Sequence, residues 1–356
     1  MSVIEPYLID PSATIRDAMT CIDRNGKGIC LVVDPEHRLL GPVSDGDIRR
    51  AILKGVDLDL PVKNLLEERS KAGNKGAVTA PPGTSDAEML HLMNKHGLRQ
   101  IPVVDPNGRV TDMAFVYDLV QEYELPLTAV VMAGGFGTRL RPLTDNTPKP
   151  MLPIGDRPIL ERTIEQLKRA GICRVNLTTH YKPETISEHF GNGEGFGVTI
   201  NYVHEHEPLG TAGGLGLLDK IDGPLLVING DILTHVDFRA MLAYHRKHKA
   251  CLTVGVRQYV VQVPYGVIEC NGPNVCNVSE KPRLQFLVNA GIYLLDPSAR
   301  QHIPTGRNSD MTDLIQHLVA ENLPVVSFPI VEYWLDVGRP ADYERAQEDV
   351  RNGRIS

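Results

Sequence analysis

A short apolar run that breaks into glycines constrains this chain more than any other stretch of its sequence. The run, residues 129–133, has the length and composition of a buried strand. It continues as GGFG at residues 134–137, where missing Cβ atoms let backbone N–H groups approach a ligand closely. Because successive amides in such a turn point the same way, we expect an anion-binding loop at the end of a buried strand.

Two cations follow this glycine turn. Arg139 comes directly after it, and Lys149 lies between two prolines, Pro148 and Pro150. Fixed cations beside free amides suit a polyphosphate ligand. The spacing differs from both the dinucleotide-binding G-x-G-x-x-G pattern and the P-loop pattern.

Length and composition exclude several classes of protein. A chain of 356 residues predicts two domains, and no apolar run reaches the length of a membrane span. The net charge of −7, without Lys/Arg runs, argues against nucleic acid or a membrane as partner. The start lacks the pattern of a secretory signal, and six cysteines without C-x-x-C spacing indicate a reduced, cytoplasmic protein.

The segments after the glycine turn predict an α/β fold. Pro158 suits a first helical position, and four apolar residues at helical spacing follow it: Ile159, Leu160, Ile164 and Leu167. A strand at residues 175–179 then completes a β–α–β unit and implies a parallel sheet. Further strands are predicted at residues 198–203 and 225–228.

The run GGFGTRLRPLTDNTPKPMLPIGDRPIL resembles the signature of sugar-phosphate nucleotidylyltransferases, also called NDP-sugar pyrophosphorylases. The resemblance implies a GT-A-like domain with a Rossmann-like, mixed but mainly parallel sheet. It also implies that Arg139 holds the outgoing phosphates and Lys149 the α-phosphate of a nucleoside triphosphate. The residues that would contact the nucleotide in the turn are Ala133, Gly134, Gly135, Gly137 and Thr138.

In this family, a loop corresponding to EHEPLGTAG (residues 205–213) contacts the nucleobase, here through Glu205, Gly210 and Thr211. Relatives that use uracil or thymine usually carry Gln where this chain has Glu205. An ionised carboxylate only accepts hydrogen bonds, and guanine offers two adjacent donors, N1–H and the 2-amino group. We therefore expect GTP as substrate; the alternative is a surface glutamate in an acidic loop.

Two carboxylates in the family hold a catalytic Mg²⁺. The matching residues are Asp231, in Asn-Gly-Asp after an apolar strand, and Asp336, in Trp-Leu-Asp-Val-Gly. Mg²⁺ prefers oxygen ligands and binds by one or two carboxylates together with substrate phosphates. Asp231 would also lie at the carboxyl end of its strand, where ligands of open α/β sheets collect.

The sugar-phosphate pocket of the family matches three segments, PYGVIE, EKP and VNAGIY, between residues 264 and 293. By this resemblance Glu280 accepts sugar hydroxyls and Lys281 meets the sugar phosphate. Three further residues line the pocket: Gly266, Asn289 and Gly291.

The first third of the chain contains an internal repeat. Eight residues recur 71 positions later: Pro11, Gly26, Val32, Val33, Asp34, Pro35, Arg38 and Asp47. Each copy predicts a helix, a strand (residues 29–33 and 100–104), a second strand and a helix, which resembles a tandem pair of CBS domains with an α+β fold. We predict a CBS module at residues 1–123 and a catalytic domain at residues 127–356.

CBS pairs commonly bind adenine nucleotides, and the matching residues here are Ser44, Asp47 and Asp118. The second copy departs from the pattern, because Phe115 stands at the Ser/Thr position and Asp112 at the glycine position. The resemblance implies a regulatory, oligomer-forming module. The alternative is a module that only dimerises or packs against the enzyme.

These features together predict a GTP:sugar-1-phosphate guanylyltransferase that makes a GDP-sugar and pyrophosphate. Within the family, a catalytic domain preceded by a CBS module resembles the glucosamine-1-phosphate guanylyltransferases of legionaminic acid synthesis. The chain also resembles mannose-1-phosphate guanylyltransferases more generally. Two alternatives stay open: a thymidylyl- or uridylyltransferase of the same fold, and a non-catalytic nucleotide sensor. The sequence does not identify the sugar.

Overall fold

The computed structural model describes residues 4–71, 76–119, 124–219, 221–304 and 306–355, and no side chain is described at residues 117 and 118. The glycine-rich sequence at residues 71–78 predicts a surface loop, and residues 72–75 of it lie outside these ranges, as do residues 120–123 beside the predicted domain boundary. The elements of the first third are β1 (Leu8–Ile9), α1 (Ile15–Asn25), β2 (Ile29–Val33), β3 (Leu39–Ser44), α2 (Asp45–Leu53), α3 (Lys63–Lys71), α4 (Asp86–His96), β4 (Gln100–Val104), β5 (Val110–Phe115) and α5 (Val116–Leu119).

The two repeat copies fold alike at matching positions. Helices α1 and α4 begin with capping boxes at Thr14 and Ser85, which lie 71 residues apart. Both helices end at a glycine in the left-handed region, Gly26 (φ 60°) and Gly97 (φ 65°), where an L side chain would be strained. In each copy an antiparallel hairpin follows, β2–β3 or β4–β5, and then a helix.

The rest of the chain forms one α/β domain. Its elements are β6 (Thr128–Met132), β7 (Pro153–Ile154), β8 (Arg157–Pro158), α6 (Ile159–Arg169), β9 (Arg174–Thr179), α7 (Pro183–Phe190), β10 (Thr199–His204), α8 (Gly210–Gly213), β11 (Leu225–Asn229), β12 (Ile232–Thr234), α9 (Phe238–Lys247), β13 (Leu252–Gln262), β14 (Val267–Asn271), β15 (Asn274–Ser279), β16 (Arg283–Leu295), α10 (Met311–Ala320), β17 (Val325–Pro329), β18 (Trp334–Asp336) and α11 (Pro340–Arg351).

A seven-stranded sheet in the order β10-β9-β6-β11-β16-β13-β17 is the centre of this domain. The first four strands are parallel to one another, β16 runs antiparallel to both neighbours, and β17 is parallel to β13. The mixed, mainly parallel sheet confirms the predicted fold class. Because β6, β10 and β11 are parallel, their carboxyl ends meet at one edge, which is where ligands bind in open α/β sheets.

Two apolar cores cover the faces of this sheet. Helices α6 and α9 pack on one face, with Leu160, Ile164 and Phe238 at most 1% exposed. The glycine-rich α8 and helix α10 pack on the other, through Ala212 and Met311. The apolar positions predicted on α6 are therefore its buried side.

Strands β13 and β16 continue beyond the sheet as a two-stranded arm, residues 257–289, that carries the β14–β15 hairpin. Its apolar side chains are exposed, for example Tyr265 at 74% and Val278 at 61%. Among the described residues, no helix has both the length and the apolar composition that crossing a membrane would require.

Candidate functional site

The glycine turn leaves β6 at the carboxyl edge of the sheet. Gly137 has a φ of +62°, and a Cβ atom there would lie 2.9 Å from Thr144 Cγ2, so glycine is required. Thr144 Oγ1 donates to the Gly137 carbonyl oxygen at 2.8 Å and fixes the turn. Within the described residues, the N–H groups of Gly134 and Gly135 have no hydrogen-bond partner. These amides, next to the buried Ala133, are free to bind an anion.

The two expected cations lie on short 3₁₀ turns beside the glycine turn. Lys149 is only 8% exposed, and its Nζ pairs with the Asp231 carboxylate. Arg139 follows Thr138 in the 3₁₀ turn Thr138–Leu140 and is exposed. Gly338 lies two residues beyond Asp336. A Cβ atom at Gly338 would lie 3.7 Å from the Nη1 atom of Arg139, so the arginine is close to the segment that carries Asp336.

The two expected metal carboxylates meet although 105 positions separate them. Strand β12 begins directly after Asp231 and pairs with β18, so that Ile232 lies opposite Asp336. The Val337 N–H donates to the Asp231 carbonyl oxygen at 3.0 Å and ties the two segments together. The pairing of β12 with β18 thus brings both carboxylates beside Lys149.

One oxygen of each carboxylate fits a cation ligand. Oδ1 of Asp231 and Oδ1 of Asp336 are buried, and neither has a hydrogen-bond partner among the described residues. Burial and the charge of Asp231 raise the pKa of Asp336, while Lys149 and Arg139 oppose this rise. The described residues contain no cluster of three or more His, Cys, Asp or Glu side chains suited to a metal. Two orphaned carboxylate oxygens beside a turn of free amides suit Mg²⁺.

Glu205 is buried, at 5% exposed, directly after β10. Its Oε2 accepts the Leu209 N–H at 3.1 Å, which closes the loop back on itself. Its Oε1 lies near both glycine segments, 2.8 Å from the Cβ position of Gly214 and 3.6 Å from that of Gly134. His180 Nδ1 is 2.8 Å from the Glu205 carbonyl oxygen. The carboxylate therefore faces the glycine turn, with one oxygen used by its own loop.

The loop after Glu205 is held by a residue that sequence reasoning missed, Asp310. Its Oδ1 accepts the N–H of Thr211 at 2.9 Å and the hydroxyl of Thr211 at 3.1 Å. The same hydroxyl accepts the Met311 N–H at 2.9 Å, so Thr211 is engaged by the protein. At Gly210 (φ +76°) a Cβ would lie 2.6 Å from the Ser309 carbonyl oxygen. Asp310 lies about a hundred residues away, and no local pattern marked it.

Three expected sugar-phosphate residues lie where the arm meets its hairpin. Gly266 precedes β14, and its Cβ position is 3.0 Å from Glu280 Oε2. Lys281 has a φ of +45°, an uncommon value for a residue with a side chain. All three residues are exposed.

The remaining expected sugar residues lie on β16, next to the end of β11. Asn289 Oδ1 accepts the Gly291 N–H at 3.0 Å, and its Nδ2 donates to the Tyr293 hydroxyl at 2.9 Å. Gly291 (φ +69°) leaves room for Asn229, because a Cβ there would lie 2.6 Å from Asn229 Nδ2. Oδ1 of Asn229 is buried without a partner among the described residues. Asn229 was not assigned from the sequence, although it precedes Gly-Asp at the strand end.

The expected nucleotide residues of the CBS module have structural partners. Ser44 and Asp47 form the capping box of α2, and Asp47 also pairs with Arg50 and lies 3.6 Å from Arg69 Nη1. Asp118 belongs to α5, and its side chain lies outside the described residues. Asp47 thus lies in the first turn of α2 and is close to two arginines.

The sheet edge thus brings together a turn of free amides, two cations, two carboxylates with orphaned oxygens and a buried glutamate. Amides and cations bind phosphates, and paired carboxylates hold a divalent cation. This combination is typical of α/β proteins that bind a phosphorylated ligand with a metal ion. Of the residues expected to bind the sugar phosphate, Gly266, Glu280 and Lys281 lie on the arm, whereas Asn289 and Gly291 lie next to the end of β11.

The chain belongs to the nucleotidyl transferase family, whose model matches residues 128–353. The CBS domain model matches residues 2–54 and 72–124. Both resemblances expected from the sequence are confirmed.

Relatives and solved structures are similar to the catalytic part. A mannose-1-phosphate guanyltransferase from Debaryomyces hansenii is 34% identical over 227 residues, which cover 61% of this chain and 62% of the relative. HddC from Yersinia pseudotuberculosis, solved with GMP-PN, has a TM-score of 0.50 and 25% identity, and the match covers 63% of this chain and 99% of HddC. A putative glucose-1-phosphate thymidylyltransferase from Bacillus anthracis has a TM-score of 0.52 and 24% identity, over 64% of this chain and 96% of that one, and is similar in fold.

Proposed function

We propose that this chain is a sugar-1-phosphate guanylyltransferase, which converts GTP and a sugar 1-phosphate into a GDP-sugar and pyrophosphate. The observation that carries the proposal is the buried Glu205 carboxylate, which faces the glycine turn at the carboxyl edge of the sheet. A buried group that can only accept hydrogen bonds selects a base edge that offers donors.

Guanine supplies such an edge. Its N1–H and 2-amino donors match a carboxylate, whose oxygens can each accept more than one hydrogen bond, so that Oε2 keeps the Leu209 N–H. Uracil and thymine present a single ring N–H between two carbonyl groups. The names of the similar proteins support this choice of base. The Debaryomyces hansenii relative is described as a mannose-1-phosphate guanyltransferase, and HddC was solved with GMP-PN.

The transfer step needs positioning and charge neutralisation more than covalent help from the protein. An oxygen of the sugar 1-phosphate forms a bond to the α-phosphorus of GTP, and the bond between the α-phosphorus and the bridging oxygen to the β-phosphate breaks. The released pyrophosphate carries that electron pair. Lys149 neutralises the α-phosphate, Arg139 the departing phosphates, and the N–H groups of Gly134 and Gly135 bind phosphate oxygens.

Asp231 and Asp336 would hold Mg²⁺ through their orphaned Oδ1 atoms. The bound ion would neutralise phosphate charge. The proximity of Lys149 to Asp231 keeps the lysine close to the same phosphates. Retaining both carboxylates next to a buried lysine favours a transferase over a protein that only senses nucleotides.

The sugar is proposed to be of the mannose or hexosamine type, bound by the groups on the arm and at the end of β11. Glu280 would accept sugar hydroxyls, and Lys281 would pair with the sugar phosphate. We also propose that the CBS module binds an adenine nucleotide and forms homo-oligomers, and that the protein is cytoplasmic. All six cysteines are free thiols, which supports a reducing compartment.

Pyrophosphate release tests the proposed function. The purified full-length protein is mixed with Mg²⁺, one nucleoside triphosphate and each sugar 1-phosphate in turn, with reactions lacking sugar as controls. We expect pyrophosphate and a GDP-sugar with GTP and at least one mannose- or hexosamine-type phosphate. Turnover only with UTP or dTTP would support the uridylyl or thymidylyl alternative, and nucleotide binding without any turnover would support a sensor.

A further inference from the structure

One arginine of the CBS module is buried in the catalytic domain. Arg49, on α2, is only 4% exposed. Its Nη2 donates to Glu332 Oε1 at 2.6 Å, its Nε donates to the Pro329 carbonyl oxygen at 2.7 Å, and its Nη1 pairs with Asp45. The guanidinium carbon also lies 4.0 Å from the ring centre of Phe328. Every nitrogen of the guanidinium group therefore has a partner: Nε and Nη2 at or just beyond the end of β17, and Nη1 on α2 itself.

The segment after β17 belongs to the core of the first CBS copy as much as to the catalytic domain. Val331 is 3% exposed and lies in one apolar cluster with residues of α1, β2 and α2. The Tyr333 N–H donates to the Asp23 carboxylate of α1. Strand β18 begins at the next residue and ends at Asp336. Segment 328–333 thus runs from the CBS contact directly into the strand that ends at a metal carboxylate.

The buried carboxylate of Glu332 depends on Arg49 for its counter-charge. The catalytic domain holds the backbone of this segment itself, since Arg257 Nη1 donates to the carbonyl oxygens of Ile330 and Glu332 at 2.8 and 2.7 Å. Glu332 Oε1 also accepts the Asp237 N–H at 3.3 Å. Among the described residues, however, Arg49 is the only cation that forms an ion pair with the Glu332 side chain.

The second CBS copy lacks this chemistry. At the offset of 71 residues, Asp45 and Arg49 correspond to Val116 and Val120. The second copy contacts the catalytic domain through Arg99, which donates to the Arg239 carbonyl oxygen at 2.9 Å. Arg99 lies 3.6 Å from the Asp237 carboxylate, and both side chains are 39% exposed. Among the described residues, the first copy makes a buried ion pair with the catalytic domain and the second copy does not.

We propose that Arg49 is a positioning residue for the nucleotidyl-transfer site, acting through Glu332 on the strand that carries Asp336. The inference rests on the proposed function. Glu332 and Asp336 are four residues apart, which is at most about 13 Å along a strand. Without Arg49, Glu332 would be a buried, uncompensated carboxylate, and segment 328–333 would shift to hydrate it. The shift would displace Asp336 from Asp231, so the first CBS copy is part of the catalytic structure.

The test combines single and double substitutions. Arg49→Met removes the counter-charge, and Arg49→Met with Glu332→Gln removes both charges. Asp59→Asn is the matched control, because Asp59 makes an exposed ion pair between the modules, with Arg283 at 3.1 Å, and both side chains are about half exposed. Metal affinity is measured without turnover, from the free Mn²⁺ signal in electron paramagnetic resonance. Trp334, the one tryptophan of the chain, reports on the segment by its emission.

Arg49→Met is expected to weaken Mn²⁺ binding roughly 10-fold, the size of effect seen when a residue that positions a metal ligand is lost. It should also shift the emission of Trp334. The Mg²⁺ concentration for half-maximal rate should rise by the same factor, and kcat should fall while KM for the sugar 1-phosphate stays within about 2-fold. The double variant should recover most of the Mn²⁺ affinity, and Asp59→Asn should match wild type.

Unchanged Mn²⁺ affinity in folded Arg49→Met would overturn the proposal. An equal loss in the single and double variants would overturn it too, because the buried charge would not be the cause. If Arg49→Met does not fold, Arg49→Lys, which keeps the charge but loses two donors, is compared with the double variant. A protein that releases no pyrophosphate from GTP would fail the proposed function, yet the Mn²⁺ and Trp334 measurements would still test Arg49.

Discussion

Lys149 and Glu205, proposed for the nucleotide, are buried side chains, whereas Glu280 and Lys281, proposed for the sugar phosphate, lie on an exposed arm. Lys149 and Glu205 are 8% and 5% exposed, and each is fixed by a partner within the domain. Glu280 and Lys281 are exposed, next to a hairpin whose Tyr265 is 74% exposed. Fixed charges in a dry site act strongly, and solvated ones act weakly.

This difference predicts a ranking of effects. Substitutions of the groups proposed for the nucleotide and the metal should reduce turnover strongly, whichever sugar 1-phosphate is used. Substitutions on the arm should change the apparent affinity for the sugar phosphate by small factors. A ranking in the opposite order would mean that the arm closes into a buried site when substrate binds.

Lys149→Met should have the largest effect. The substitution removes a cation aimed at charge that grows in the transition state, and one such preorganised group is typically worth about 10²–10³ in kcat. The measurement is kcat for pyrophosphate release, with Lys247→Met, an exposed lysine at the end of α9, as control. Turnover within a few-fold of wild type in a folded Lys149→Met protein would remove the lysine from the proposed mechanism.

Asp231→Asn and Asp336→Asn should come next. Each substitution replaces an anionic ligand by a neutral one. We expect the Mg²⁺ concentration for half-maximal rate to rise by at least roughly 10-fold, which is the loss that removing a hydrogen-bond partner of a metal ligand causes. Mg²⁺ titration of the rate measures this, with Asp222→Asn, an exposed residue, as control. Titration curves that match wild type in both variants would mean that these residues are not the metal pair.

Glu205→Gln should cost about 5- to 150-fold in kcat/KM for GTP, because an amide leaves one guanine donor without an acceptor in a buried loop, at about 1–3 kcal/mol. The loss should spare UTP and dTTP. Glu207→Gln, an exposed residue of the same loop, is the matched control. An equal loss for all nucleotides would instead indicate a collapsed loop, since Glu205 Oε2 also accepts the Leu209 N–H.

Lys281→Met should have the smallest effect. An exposed ion pair is worth up to about 1 kcal/mol, so KM for the sugar 1-phosphate should rise about 2- to 5-fold with kcat nearly unchanged. Lys247→Met, an exposed lysine on α9 and outside the arm, is again the control. A fall in kcat of a hundredfold would show that the arm belongs with the buried half of the site.

The sequence predicted the parts of this site that follow from local patterns. The strand at residues 129–133, the glycine turn and the helix after Pro158 are predictable because each has a local signal. These signals are an uninterrupted apolar run, a cluster of glycines and apolar residues at helical spacing. The sheet order and the pairing of β12 with β18, which brings Asp231 to Asp336, depend on contacts about a hundred residues apart. No local pattern encodes such contacts.

The missed residues share this cause. Asp310 organises the loop of Glu205 from about a hundred residues away, and Arg49 reaches Glu332 from the other module. Ser44 and Asp47 match a nucleotide pattern and also form the capping box of α2, so their contact with a nucleotide stays a prediction. A motif predicts which residues are present, and tertiary packing decides what they bind.

The central proposal is that the buried carboxylate of Glu205 recognises guanine by accepting its hydrogen bonds. The most direct measurement is kcat/KM of the wild-type protein for GTP, ITP, UTP and dTTP with one sugar 1-phosphate. The account predicts GTP as the best substrate and ITP, which lacks the 2-amino donor, at least about 5-fold poorer. Preference for UTP or dTTP, or equal use of ITP and GTP, would contradict the assignment of Glu205 to the base.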